Sequence, residues 1–493
     1  MERLRAAWGT RGHGAARRGR GARPGDRGPA SRPLRRRRPH RCGRHTGDAV
    51  SDQGSDAGSL ARAVSVAITQ AIRLSAGPLP EPVRRHAVHV VADTIGVSLA
   101  GGRTAEMVRL RESQLPGGGG ATVLAPGAAP ASPEEAAFLN ATAGSFLELD
   151  EGMRPTGHPA MHVVPAALAA AEVEHRSGAE LLGAVVAGYE VTARLFTAFR
   201  LTPPTHPHGH LGGVGAAVAV ALLLGEDPVA VATIAATTPT IPVWNACYEG
   251  ATARNTAMGL AAQNALRAVR LHRAGFRGSP ESVGALFGQV TGRVVDVDAL
   301  TGAVDPARPA ILRNYFKRHS ACALTHGAID AVLSLPAVPV EQITAVEVQT
   351  VANNLKLDRQ AAPNDLSARF SLPYAVAAAL SARASDEPAG LSTFDYRPAV
   401  AELAQRVSVG VDDELERQWP QHSPTRVVVH AGQRLEASVT DPRGHHHDPL
   451  TADELRRKFH VLVGASGERL WDSLLALDRT PDVAAVLAPL RGI

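Results

Sequence analysis

From about residue 59 onward, apolar positions recur at helical spacing and are interrupted by glycine and proline. Residues 60–74 carry the first such pattern, and Glu81-Pro82 opens a second helix with Val83, Ala87, Val90, Val91 and Ile95 along one side. Ser132-Pro133-Glu134-Glu135 sets a capping serine before a proline at the first helical position, with a glutamate three residues after the cap, so a helix should start there. Residues 163–174, entered at Val164-Pro165, then 178–199, 212–224, 227–237 and 255–274 read as Ala-rich helices joined by Gly and Pro turns. Past about residue 313 the period changes. Residues 343–351 alternate as a strand does, and 426–430, Ala431-Gly432 and 434–439 read as a hairpin. Helical spacing returns from 451. The pattern predicts a mainly α protein: a helical body from 59, a smaller mixed domain that begins past about 313, and a C-terminus that rejoins the helical body.

Composition narrows this picture. The 493 residues exceed what one hydrophobic core usually supports, and aromatics make up only 4% against 44% hydrophobic overall, so the interior is built from Ala, Val and Leu. The formal net charge of +5 sits at one end: residues 1–50 hold 15 Arg against three acids, and the remaining chain has 37 bases against 44 acids. A body with excess negative charge argues against a nucleic-acid partner. Residues 1–58 lack core-forming side chains and are expected to be a disordered Arg-rich tail. Cys42, Cys247 and Cys322 lie far apart, which suits a reducing cytoplasm and neither a disulfide framework nor a cysteine-rich metal site. Apolar runs such as 213–224 are too short to span a bilayer, and the mean hydropathy is −0.06, so no membrane is expected.

Four segments could carry chemistry. Glu148-Leu149-Asp150-Glu151 precedes Gly157-His158-Pro159, placing carboxylates before a loop histidine whose proton affinity they can tune; the alternative is an acidic helix end beside a solvated histidine. His206-Pro207-His208-Gly209-His210 leads through Gly212, Gly213 and Gly215 into a helix. Alternating imidazoles can share zinc, whereas the helix start offers free N–H groups to an anion. Lys317-Arg318-His319 with Cys322 and His326, and Ser371-Leu372-Pro373-Tyr374, complete the set, although a lysine can be solvated and a tyrosine can be packing. His445-His446-His447 reads as a solvated loop.

Taken in order, these segments resemble the MmgE/PrpD family, which includes 2-methylcitrate dehydratase and cis-aconitate decarboxylase. The resemblance begins at Ala92-Asp93-Thr94-Ile95-Gly96-Val97-Ser98-Leu99-Ala100-Gly101. It runs through the acidic segment to His158-Pro159, Gly188-Tyr189-Glu190-Val191, and His206-Pro207 with Gly215-Ala216-Ala217. Lys317-Arg318, Ala321-Cys322, His326 and Ile329-Asp330-Ala331 follow, and then Phe370-Ser371-Leu372-Pro373-Tyr374. The resemblance implies a large all-helical domain, 59–313 plus 449–493, with a smaller α+β lid domain, 314–448, inserted before the C-terminal helices and an active site between the two, and further that no metal or organic cofactor is needed and that the protein is a homodimer. It also implies that His158 and His206 are the active-site histidines, Lys317 a lid-side lysine and Tyr374 a tyrosine facing the substrate. Glu148, Gly152 and Arg254 stand where the decarboxylases carry aspartate, threonine and lysine; Arg254 keeps the charge and can bind a carboxylate bidentately.

Proton removal beside a carboxylate creates a carbanion or enediolate, which cations such as Arg254 and Lys317 would stabilise, with Glu148 and Asp150 completing the substrate-binding set. A cofactor-free lyase, dehydratase or decarboxylase, acting on a small di- or tricarboxylate is the expected function. An isomerase or epimerase shares the same intermediate. A metal-dependent hydrolase using His206, His208 and His210 is the reading from another class.

Overall fold

A computed structural model describes residues 57–113, 119–386, 390–464 and 466–492. Nearly all of the expected 1–58 tail lies outside the described residues. The helical body is built as its alanine content dictates. Gly212–Leu224 runs through its centre, packed against Gly178–Ala198, Pro159–Val173, Thr256–Arg273 and Pro228–Thr237, with Pro133–Ser145 and Glu81–Gly101 in the next layer. Small side chains let backbones approach closely. A methyl group on Gly188 would stand 2.6 Å from the Gly215 carbonyl oxygen, and one on Gly215 would stand 2.3 Å from that of Gly188. Gly178–Ala198 is long and apolar enough to cross a bilayer, a property the sequence reading did not detect, but it is buried inside this body.

Local signals set most helix starts. Ser132 Oγ accepts from the Glu135 N–H, Asp227 caps Pro228–Thr237, and Thr451 forms a reciprocal capping box with Glu454 ahead of Ala452–Val463. One start differs from expectation. The helix read as 163–174 is Pro159–Val173, because Pro159 occupies its first position after His158, while Pro165 is carried within its second turn. The C-terminal helix Ala452–Val463 returns to Glu81–Gly101, where Lys458 Nζ pairs with Asp93 at 2.6 Å and Phe459 lies over Gly96.

A second apolar core gathers Cys247 with side chains from Ala321 to Ala431. Its sheet has the order Val407–Val411, Ala345–Thr350, Thr425–His430, Arg434–Val439; the first pair is parallel and the others antiparallel. The predicted strand and hairpin are present. Val407–Val411 went unread because its pairing partner is distant in sequence and Gly410 interrupts its pattern. The architecture is mainly α, with this small α+β portion ahead of the C-terminal helices. Asn314–Tyr315 pairs antiparallel with Gly152–Met153, stitching the approach to Lys317 onto the acidic run.

The Gly188–Gly215 contact yields a stability prediction. Gly215→Ala must push its methyl against backbone and is expected to cost about 1–3 kcal/mol, read as a lower Tm. Gly213→Ala, whose methyl would meet Ala261 at 3.5 Å, is the matched control and should change little. Equal Tm values for the two variants would show that the helices can separate freely.

Candidate active site

The acidic run leaves the end of Pro133–Ser145 and is held by its carbonyls from several directions. Phe146 O accepts from Arg369, Leu147 O from Ser320 Oγ at 2.6 Å, and Leu149 O from Lys458 Nζ at 3.0 Å. Glu148 adopts φ 50°, a left-handed conformation costing roughly 1–2 kcal/mol for a residue with a Cβ. Its carboxylate is fixed by two cations: Arg254 donates to Oε1 at 2.6 Å and Lys317 to Oε2 at 3.3 Å. Lys317 also donates to Asp150 Oδ1 at 3.2 Å. All four side chains are buried.

Asp150 and Lys317 hold each other ionised. Burial alone would raise the Asp150 pKa, but Lys317 and then His158 bring it well below the usual carboxylate range. Burial would likewise deprotonate Lys317, and Asp150 and Glu148 reverse the shift, so its pKa is raised. Glu151, next in sequence, has no such partner, and burial pushes its carboxyl well above the ordinary value. Beside the Arg254 guanidinium, Cys247 has its thiol pushed up to about 11 by burial.

His158 immediately precedes Pro159–Val173, and its Nδ1 lies 2.9 Å from Asp150 Oδ2 and 2.8 Å from Glu151 O. Both neighbours are acceptors, so Nδ1 carries the proton and Nε2 keeps a free lone pair. One turn later, buried His162 donates from Nδ1 to His158 O at 2.7 Å and accepts the Gly209 N–H on Nε2, also at 2.7 Å. That imidazole fixes the 206–210 loop, and burial lowers its pKa to about 4, keeping it neutral as the bridge requires. His206 accepts the His208 N–H on Nδ1 at 3.2 Å, which leaves its own proton on Nε2, and its ring packs edge-on against Trp244. Burial, reinforced by Arg254, holds both His206 and His208 well below the usual histidine pKa.

These groups surround a cavity of about 50 Å³ whose lining includes Glu148, His158, His206, Arg254 and Lys317. Asp150 stands behind His158 and Lys317. Tyr374 is elsewhere: its hydroxyl donates to Asp395 O at 2.6 Å and accepts the Arg397 N–H at 2.7 Å, so the expectation that it faces the substrate is corrected. The hydrolase reading loses its third ligand, since His210 turns away to Thr291 Oγ1 at 2.7 Å and packs on Phe287. Asp150, His158 and His208 do converge within 4.8 Å of one another. Lys317 already occupies Asp150, however, and Arg254 lies 3.5 Å from His208 Nε2, so a divalent cation there would face two fixed positive charges.

Residues 55–289 match the MmgE/PrpD N-terminal domain, and residues 319–471 match the MmgE/PrpD C-terminal domain. The chain belongs to the MmgE/PrpD family. It is 25% identical over 444 residues to cis-aconitate decarboxylase of Homo sapiens, covering 82% of this chain and 88% of the relative. It is 24% identical over 363 residues to cis-aconitate decarboxylase of Mus musculus, covering 67% and 71%. Membership and these relatives support an enzyme of the MmgE/PrpD type with lyase or dehydratase character.

Two cations in this MmgE/PrpD cavity had no signal in the sequence reading. Arg154 donates to Ala323 O at 3.3 Å and lies over Tyr315, and its Nε is buried without a partner. Lys356 donates to Asn353 Oδ1 at 3.0 Å and lies 4.7 Å from the Trp244 ring centre. Neither makes an ion pair among the described residues; Asp441 acts on Arg154 only from beyond that range. His162 was also missed, although its position four residues after His158 on a helix was a usable sign.

The Asp150 pKa is lower folded than unfolded, so its stabilising contribution is complete above the unfolded carboxyl value of about 3.9 and is lost as pH falls towards the folded value. Asp150→Asn is expected to cost about 3–5 kcal/mol at pH 7 by leaving Lys317 underpaired. The Tm gap from the parent protein should narrow as pH is lowered from about 4. A gap independent of pH would assign the loss to packing.

Proposed function

We propose that this MmgE/PrpD protein is a lyase that removes water or CO2 from a small di- or tricarboxylate by way of a carbanion or enediolate, with no metal or organic cofactor. The charge balance around the cavity carries the reading. Glu148 and Asp150 neutralise Arg254 and Lys317, leaving Arg154 and Lys356 as two unmatched positive charges on the lining. A half-buried excess of this sign suits a substrate with at least two carboxylates, each able to supply the missing acceptor.

The roles follow from the hydrogen bonds. His158, whose Nδ1–H is held by Glu151 O with Asp150 Oδ2 2.9 Å away, presents Nε2 as a base to a C–H next to a substrate carboxylate, and the Asp150 charge stabilises the imidazolium that forms. The electron pair left on carbon is delocalised into that carboxylate, where Lys317, Arg254 and Arg154 stabilise the developing charge. In dehydration the pair then expels hydroxide, which the imidazolium proton converts to water. In decarboxylation no proton leaves first: the C–CO2 bond breaks, its electron pair stays on carbon and is delocalised into the neighbouring carboxylate, and one proton delivered to that carbon from His158 as imidazolium completes the product. His206, neutral with its proton on Nε2, serves as a hydrogen-bond donor to the substrate. The cytoplasmic location and the homodimer are part of this proposal, the latter checked by the mass in solution.

A panel of citrate-like acids including cis-aconitate, followed by NMR for water loss, CO2 release or solvent deuterium uptake, tests the reading. With the acid that is turned over, His158→Ala and His206→Ala should each lower kcat at least about a hundredfold. Lys317→Met should lower kcat/KM by on the order of a hundredfold, about 3 kcal/mol of transition-state stabilisation. Arg154→Met and Lys356→Met should each raise KM about ten- to hundredfold, the loss of one charge-assisted hydrogen bond of about 1.5–3 kcal/mol. No turnover of any di- or tricarboxylate by folded protein, or a preference for monocarboxylates, would overturn the proposal.

A further inference from the structure

The hairpin Thr425–His430 and Arg434–Val439 pairs Thr425 with Val439 at its open end. His422 lies just before the first strand and Asp441 just after the second, so they meet where the strands part. His422 Nδ1 is 2.6 Å from Asp441 Oδ2, and His447 Nδ1 is 3.1 Å from the same oxygen. The two rings are 4.9 Å apart. Asp441 is nearly buried, whereas each imidazole is about two-fifths exposed, so solvent reaches the cluster from one side only. The 445–447 triplet is solvated only at His447 and is otherwise packed in. His445 is buried 3.5 Å from Asp441 Oδ1, and the His446 ring lies 4.0 Å from that of His447 with its own Nδ1 buried and unpartnered.

We propose that His422, Asp441 and His447 form a binding site for one Zn²⁺ ion, with water as the fourth ligand. Two imidazole nitrogens and a carboxylate oxygen are a donor set that zinc prefers, and the three ligand atoms lie within 4.8 Å of one another. As hydrogen-bonded pairs they stand closer than they would around the ion; tetrahedral bonds of about 2.0–2.1 Å separate ligand atoms by roughly 3.3 Å. The metal takes the place of the two shared protons and moves the imidazole nitrogens away from Asp441 by about 0.2–0.7 Å, within reach of half-exposed side chains. His445 is excluded from the ligand set because its Nδ1 accepts the His447 N–H at 3.3 Å, which orients the loop behind the ion.

The site would clamp the segment that carries Lys317. Gly444, between Asp441 and His447, has φ 99° and accepts the Phe316 N–H on its carbonyl at 3.0 Å; a methyl there would stand 2.1 Å from Phe316 O. Arg443 N donates to Asp330, whose other oxygen meets His319 at 2.8 Å. The loop spanned by the ligands therefore touches the chain on both sides of Lys317, and a metal that fixes the loop fixes that chain.

Untagged full-length protein is stripped with a chelator and titrated with Zn²⁺ by calorimetry, with the visible absorption of Co²⁺ as a report of tetrahedral N/O coordination. One equivalent bound at this site and a rise in Tm are expected. His422→Gln and His447→Gln should each weaken zinc binding at least about tenfold and abolish the Tm rise. His175→Gln, which removes an exposed histidine paired with Asp482, should leave both unchanged. The assignment is overturned if no zinc binds, or if folded His422 and His447 variants bind as the parent does. It is equally overturned if binding is lost in His208→Gln instead, which would put the ion in the catalytic cavity.

Discussion

Four charges taken out of water, on Glu148, Asp150, Arg254 and Lys317, cancel one another in the middle of the molecule, and the surrounding architecture is arranged to make that cancellation possible. Any one of them alone would cost several kcal/mol of desolvation, so each is tolerable only while its partners are within about 3 Å. That demand explains the otherwise costly left-handed backbone at Glu148 and the anchoring of successive carbonyls by Arg369, Ser320 and Lys458. It also ties distant parts of the chain together. Glu148 follows one helix, Arg254 precedes another, and Lys317 comes just after the strand that pairs with Gly152–Met153, so the network forms only when all three segments are in register.

The alanine-rich body supplies the stiffness for this. Helices meeting through glycine and alanine bring backbone against backbone, and such contacts have few alternative rotamers into which to relax. His162 shows how the packing reaches the chemistry. Gly212 leaves room for its ring, so one buried imidazole can join the His158 carbonyl to the Gly209 amide and fix the spacing between two loops.

What was legible in the sequence was what is encoded locally. Ser132, Asp227 and Thr451 announce helices through side-chain bonds made within a turn, and the 426–439 hairpin through alternation and Gly432. Family resemblance brought His158, His206, Arg254 and Lys317 to one place. It did not place Tyr374, whose hydroxyl is taken by two backbone groups across a turn that the motif does not contain. Arg154 and Lys356 were invisible for a different reason. A cation is informative when its counter-charge is missing, and that is a property of the folded neighbourhood. The 445–447 histidines looked solvated for the same reason, since His422 comes beside Asp441 and His447 only once the hairpin closes.

The seam between Gly152–Met153 and Asn314–Tyr315 has a kinetic meaning. Glu148 and Lys317 stand 169 positions apart in the chain, so a long loop must close before their charges can pair, and its closure entropy is met before any contact offsets it. Pairing is therefore a late event in folding. Until the seam forms the charges stay hydrated, and that order of events keeps the chain from burying any one of them alone.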